Sequence, residues 1–307
     1  MNEIDAVRLH FSPESLAVLD MILAFVLFGV ALDIKIDDFK GIVTAPRGTL
    51  IGLLAHSVLL PAVAFALTMV LQPAPSIALG MILVASCPSG NISNFLVNYG
   101  RGNTALSVTI AAFSMLGSIF FTPFNLAFWG GLNPATRPIL QAVALSPWAV
   151  LGTIVMLLGV PTALGIWVAS HHPEFAQRAR TRFRLMSIGF FVLFVLGALA
   201  ANWNFFLHYV GRVLLFVLLL NAFALLTGYL AARVARLAEA DRRAVALEVG
   251  IQNSGFGLAL VFNFFGGLGG MAIVAAWWGI WHLLVGMTLA SWWRRHPPRA
   301  AAAVVAA

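Results

Sequence analysis

Nine stretches of this chain are apolar over roughly the 20 residues that a helix needs to cross a bilayer. They are Leu16–Leu32, Thr49–Leu71, Ser76–Asn98, Ala105–Trp129, Ala149–Val168, Leu185–Ala201, Val213–Ala232, Val245–Phe265 and Met271–Trp293. In hydrocarbon every backbone N–H and C=O must find its partner within the protein. Each run is therefore read as a helix, and the chain as an all-α polytopic membrane protein. Mean hydropathy is +0.95 and only 9% of residues are charged, against about 25% in soluble domains. Pro61, Pro123 and Pro161 fall inside spans and predict kinks.

The net charge of +7 does not point to nucleic acid, because the basic residues sit in short loops between apolar runs. They also orient the chain. With nine spans, Lys35, Lys40, Arg47, Arg101, Arg178, Arg180, Arg182, Arg184, Arg233, Arg236, Arg242, Arg243, Arg294, Arg295 and Arg299 share one side, while Arg8 and Arg137 lie on the other and Arg212 at the edge of a span. The positive-inside rule places the N-terminus outside and the C-terminus in the cytoplasm. The opening residues, with Glu3, Asp5 and Glu14 against Arg8, lack the basic start of a secretory signal. Cys87 is the one cysteine, so neither an internal disulfide nor a zinc-type cysteine cluster forms.

Two spans are interrupted by polar residues. Cys87-Pro-Ser-Gly-Asn-Ile-Ser-Asn94 breaks the third, and Glu248-Val-Gly-Ile-Gln-Asn-Ser-Gly-Phe-Gly257 breaks the eighth. A carboxylate at such depth costs about 2.5–3.5 kcal/mol on insertion scales, so it faces a protein interior or a wet cavity. Five spans separate the breaks, and an odd offset means opposite directions through the bilayer. Helices 1–4 (15–130) and 6–9 (183–294) are thus expected to be inverted repeats, with helix 5 (141–171) as linker, in one transmembrane unit covering 1–307. Paired broken helices mark a secondary transporter's binding site. Unwound carbonyls ligate hard cations, and half-helix N-termini favour anions. The first break offers Ser89, Asn91, Ser93 and Asn94; the second offers Glu248, Gln252, Asn253, Ser254 and the carbonyls of Val249 and Ile251. One carboxylate among neutral oxygens suits a monovalent cation better than calcium or zinc. Asp20 is placed near the outer interface rather than at a site.

Cys87–Asn94, Arg101-Gly-Asn-Thr-Ala-Leu-Ser107 and Glu248–Asn253 closely resemble the signatures of the bile acid:sodium symporter family. The resemblance extends through Phe28-Gly-Val-Ala-Leu-Asp33 and Trp281-His282. It implies two crossed discontinuous helices in a core domain (helices 2, 3, 4, 7, 8 and 9) beside a panel (helices 1, 5 and 6). It implies a first sodium site on Ser93, Asn94, Ser107 and Glu248, and a second on Glu248, Gln252, His56 and the carbonyls of Val249 and Ile251. Asn91, Asn253 and His282 would face the substrate. Two positions depart from the family pattern: Ala111 stands where a threonine ligand is usual and His56 where a glutamine is. Thr109 does not substitute, being about 200° around the helix from residue 111. Leu283 replaces the asparagine that commonly follows the histidine.

The expectation is a multi-pass carrier of the bacterial cytoplasmic membrane that imports an organic anion with sodium by alternating access. It needs no cofactor beyond the coupling ion and no nucleic-acid partner. The competing reading is proton coupling or uncoupled transport in the same fold, with Glu248 or His56 carrying the proton. A membrane metalloenzyme fits less well, because the sequence has no cluster of His, Asp and Glu at ligand spacing, and so does a channel, which would more naturally show repeated pore-lining rings from an oligomer.

Overall fold

The computed structural model describes residues 3–8, 13–32, 34, 36–90, 92–143, 147–179 and 203–298, with scattered positions between 182 and 197. Among these the regular elements are helices. The principal ones are α1 (Pro13–Ala31), α2 (Pro46–Leu71), α3 (Pro75–Ser86), α4 (Ser93–Tyr99), α5 (Thr104–Leu132), α6 (Leu151–His171), α7 (Trp203–Val234), α8 (Glu239–Gly250), α9 (Ser254–Phe265) and α10 (Gly269–Arg295). Among the described residues, α2, α5, α6, α10 and the Val213–Val234 part of α7 are long and apolar enough to cross a membrane, and shorter apolar helices accompany them. The sixth expected span, Leu185–Ala201, falls largely outside the described residues. The seventh begins ten residues earlier than its apolar run, at Trp203 rather than Val213.

The third and eighth spans are each split, into α3/α4 and α8/α9. Around them α10 packs along α3, α7 along α8, and α5 against α3, α4 and α8. Close approach is built in at Gly228 of α7, where a Cβ would lie 2.7 Å from the Val245 carbonyl oxygen. In addition, α6 packs on α1, and a small apolar cluster of Leu32, Ala176 and Ala179 forms at their ends, while α1 also touches α9 and α6 touches α5. Large apolar side chains point outward, as with Phe120, Phe124 and Phe128 along one face of α5. Exposed stripes of this kind are at home against lipid.

The prolines act less as simple kinks than expected. Pro61 and Pro161 each follow a π-turn, Ala55–Leu59 and Val155–Gly159. Pro61 has no N–H for the Ser57 carbonyl four residues back, and Asn125 of α5 donates its Nδ2 to that oxygen at 2.8 Å. Asp20 of α1 accepts from Asn263 of α9 at 2.9 Å, so it joins two helices.

Both ends of the bundle are tied by charge. At one end the Asp5 carboxylate accepts from the Ser76 N–H at 2.8 Å, capping α3 from 71 residues away. At the other, Arg243 is not the loop charge that the sequence pattern suggested but is 4% exposed within α8. Its guanidinium donates to the carbonyls of Gly100, Trp293 and His296 at 3.1, 3.1 and 2.7 Å, and to Glu239 at 3.2 Å. These carbonyls lie at helix C-termini, where intrahelical partners run out, and a fixed fork of five donors suits them. Arg243→Ala is expected to cost about 3 kcal/mol by stranding those groups, lowering the melting temperature of the purified protein in detergent. The exposed Arg295→Ala should shift stability by less than about 0.5 kcal/mol; equal melting temperatures for the two variants would sink this account.

Candidate functional site

The first break follows from Pro88. The ring disfavours helical geometry for the residue before it, and Cys87 is extended, with ψ 159°. The last carbonyl of α3, at Ser86, accepts instead from the Thr122 hydroxyl at 2.6 Å. The second break follows from Gly250 and Asn253. Ile251 is extended, and the Asn253 side chain caps α9 by accepting from the Phe256 N–H at 3.1 Å.

The two extended segments then cross and pair. Gly90 N–H donates to the Ile251 carbonyl and Asn253 N–H to the Pro88 carbonyl, both at 2.8 Å. Together they make an isolated antiparallel bridge between Ser89 and Gln252. Gly90 permits the approach, since a Cβ there would sit 3.0 Å from the Gln252 carbonyl oxygen. Asn221 of α7 donates to the Gly250 carbonyl at 2.8 Å.

Glu248 is fully buried at this crossing. Its Oε1 lies 2.5 Å from the Ser107 hydroxyl and its Oε2 2.5 Å from the Ser89 hydroxyl. Ser89 is in turn 3.3 Å from the Ser93 hydroxyl, and Ser107 is 2.7 Å from Asn94 Oδ1. Ser93, Asn94, Ser107 and Glu248, grouped by resemblance alone, thus converge in space. A hydroxyl carries one proton, so Ser107 cannot donate to both Glu248 and Asn94. Three arrangements resolve that shortage: the Asn94 amide turned to donate, a proton on Glu248, or a cation among the oxygens.

A second polar group lies on the far side of the break. Gln252 Nε2 donates to the Val249 carbonyl at 2.8 Å, while its Oε1 is buried without a partner. His56, in the π-turn of α2, is 4% exposed and lies beside Gln252, yet neither ring nitrogen is hydrogen-bonded. Asn221 Oδ1 is also unpartnered. The Ile251 carbonyl is engaged by Gly90 but retains a second lone pair.

Of the three expected substrate residues, Asn91 lies outside the described residues. Asn253 Nδ2 and His282 Nδ1 are buried and unpartnered. Gly257 of α9 faces Ala275 of α10, and Gly286 faces Ile251. Trp278 and His282 lie between those contacts on the same stripe of α10, by the 3.6-residue period, and both are buried. They therefore flank the second break, and Trp278 Nε1 is likewise unpartnered.

The sequence reading did not place Ser89 on Glu248 or select Asn221 and Trp278. Asn221 carried a signal, as a lone amide in the apolar run Leu218-Leu-Leu-Asn-Ala-Phe-Ala224. Among the described residues no group of three or more His, Cys, Asp and Glu side chains is placed to hold a metal ion.

The model of the sodium bile acid symporter family matches residues 20–209. An uncharacterized sodium-dependent transporter of Bacillus subtilis is 31% identical over 89% of this chain and 82% of its own length. A probable chloroplastic sodium/metabolite cotransporter of Arabidopsis thaliana is 27% identical over 90% of this chain and 67% of its own. The ileal sodium/bile acid cotransporter of Homo sapiens is 27% identical over 77% of this chain and 66% of its own length. With a family match over more than half its length and a relative this similar across most of both chains, the chain belongs to the sodium bile acid symporter family, and so to the multi-pass membrane transporters rather than the enzymes.

Proposed function

We propose that the chain is a sodium-coupled carrier importing an organic anion, a bile acid-like compound or small carboxylate, across a bacterial cytoplasmic membrane. The observation that carries this reading is the oxygen-rich cluster on Glu248, which gathers one carboxylate, three hydroxyls and the Asn94 amide within a few ångströms. A sodium ion completes such a cluster without needing a proton, and the sodium-dependent relatives support it. On this reading Ser93, Asn94, Ser107 and Glu248 hold the first ion. Glu248, Gln252, His56 and the carbonyls of Val249 and Ile251 surround the second. Asn253 and His282, with Asn91, contact the substrate from the other end of the break.

The carrier has nine spans in inverted repeats, the N-terminus outside, and a core that rocks against a panel built on α1 and α6. The extensive packing of α6 on α1 supports that division. One alternative is favoured by the same cluster: a proton on Glu248 also relieves the shortage at Ser107, and would make the carrier proton-coupled.

Glu248→Gln keeps the shape of the side chain and removes the charge. The variant is expected to fold, and its sodium-stimulated uptake of labelled organic anions into proteoliposomes should fall to background. Sodium stimulation close to that of the parent protein would rule Glu248 out as the coupling residue.

His56→Gln supplies an amide oxygen to the second group in place of an imidazole, a poor ligand for a hard cation. The sodium concentration for half-maximal uptake should drop, by about tenfold if the new ligand contributes about 1.4 kcal/mol. An unchanged or raised value would count against a second cation at this position.

For topology, Arg236→Cys and Arg137→Cys give opposite expectations. Cys87 is buried, so background labelling is low. In intact cells the cysteine at 236 should react only with membrane-permeant reagents and that at 137 with impermeant ones as well. The reverse pattern would overturn the orientation.

A further inference from the structure

Ser89 is the residue of the first break that lies nearest the buried carboxylate, and it belongs to neither ion site as the resemblance drew them. Its hydroxyl is 2.5 Å from Glu248 Oε2, 3.3 Å from Ser93 Oγ and 3.5 Å from the Ile251 carbonyl oxygen. The residue is 3% exposed. Its position is set twice over by backbone: its N–H donates to the Ser114 hydroxyl at 3.3 Å, and it forms the bridge with Gln252. The oxygen is thus delivered from the crossing itself, on the side of the carboxylate opposite Ser107.

Position 111 explains why an oxygen is wanted there. On α5, residues 107, 111 and 114 lie on one face by helical spacing. Ser107 meets Glu248 Oε1 and Ser114 meets the backbone of Ser89. Residue 111 falls between them along that face by helical spacing, is partly buried, and offers only a methyl group. Without Ser89 the cluster holds Ser93, Asn94, Ser107 and one or two oxygens of Glu248.

Resting on the proposed sodium reading, we infer that Ser89 Oγ is a ligand of the first sodium ion in this chain and supplies the oxygen that α5 lacks at Ala111. The ion would then be gripped between α5 and the crossing, with hydroxyls on both sides of the carboxylate. The weakening that Ala111 implies on its own is offset, and the first site keeps its affinity.

The test uses sodium itself as the probe. The purified chain is titrated with sodium chloride, potassium replacing it to hold ionic strength, and thermal stability is followed; a ligand that binds the folded state raises stability in proportion to the logarithm of one plus the ratio of its concentration to Kd. Four proteins are compared: the parent, Ser89→Ala, Ala111→Thr and the double variant. Ser89→Ala is expected to raise the half-saturating sodium concentration about tenfold, equivalent to about 1.4 kcal/mol. Ala111→Thr alone should move it by less than about threefold, while in the Ser89→Ala background it should restore it to within about threefold of the parent, a non-additivity diagnostic of one shared role. Melting temperatures in potassium alone report folding, and Ser89→Cys, which keeps the volume but substitutes a soft sulfur, should reproduce the loss if Ser89→Ala proves unstable. Unchanged sodium affinity in Ser89→Ala and Ser89→Cys, or no rescue by threonine in a folded double variant, overturns the assignment while leaving the sodium reading intact. A parent protein that sodium does not stabilise over potassium overturns the sodium reading and the assignment with it.

Discussion

Two unwound segments inside a membrane are possible here because each completes the other. Pro88 and Gly250 interrupt their helices, and the groups this frees would be costly in hydrocarbon. The bridge between Ser89 and Gln252 returns two hydrogen bonds at 2.8 Å to that backbone. Thr122 and Asn221 take up the flanking carbonyls of Ser86 and Gly250. Every functional feature hangs on this pairing. It fixes Glu248 one helical turn before the bridge and turns Ser89 toward it. It also starts α9 at Asn253, whose capping leaves one amide nitrogen free. Gly90 leaves room for the close approach, because a Cβ there would press on the Gln252 carbonyl oxygen at 3.0 Å.

Much of this was legible in the residues. Nine apolar runs and the polar interruptions at 87–94 and 248–257 predicted helices and breaks, and both breaks lie where expected. Glu248 identified itself, since an isolated acid between Leu247 and Val249 has no reason to be in lipid unless it has a task. Other features left no pattern. Arg243 reads as one more flanking charge beside Arg242, and only the meeting of α4, α8 and α10 reveals that its guanidinium serves three carbonyls at two helix ends. Asp5 caps a helix that begins 70 residues later, a pairing that local spacing cannot encode. The π-turn at His56 is hidden because the freed carbonyl of Ser57 is satisfied by Asn125, a partner on another helix.

Ser89 illustrates the same limit at the site. Sequence shows a hydroxyl in a polar break; whether it points to Glu248, to solvent or back along its own chain depends on the bridge, which is a property of two segments more than 150 residues apart. Asn221 differs, because an amide among leucines is anomalous by itself. Residues that are chemically out of place are readable from sequence, whereas ordinary residues made important by their neighbours are not.

On the proposed reading, the crossing also explains how ion and substrate would be linked. The two oxygens of Glu248 are held by different bodies, Ser89 from the crossing and Ser107 from α5. A cation drawing in Ser93 and Asn94 would therefore fasten α4, α5 and α8 to one another. Asn253 stands five residues on, past the bridge, with His282 and Trp278 of α10 flanking it. Any shift of Glu248 that follows the ion is transmitted through Val249–Gln252, whose carbonyls at 249, 250 and 251 are already anchored by Gln252, Asn221 and Gly90. An anchored strand moves as a unit, so the N–H and amide groups at the start of α9 would turn with it. Loading the ion and shaping the anion site are then one displacement of four residues, which is a carrier's requirement and needs no continuous pore.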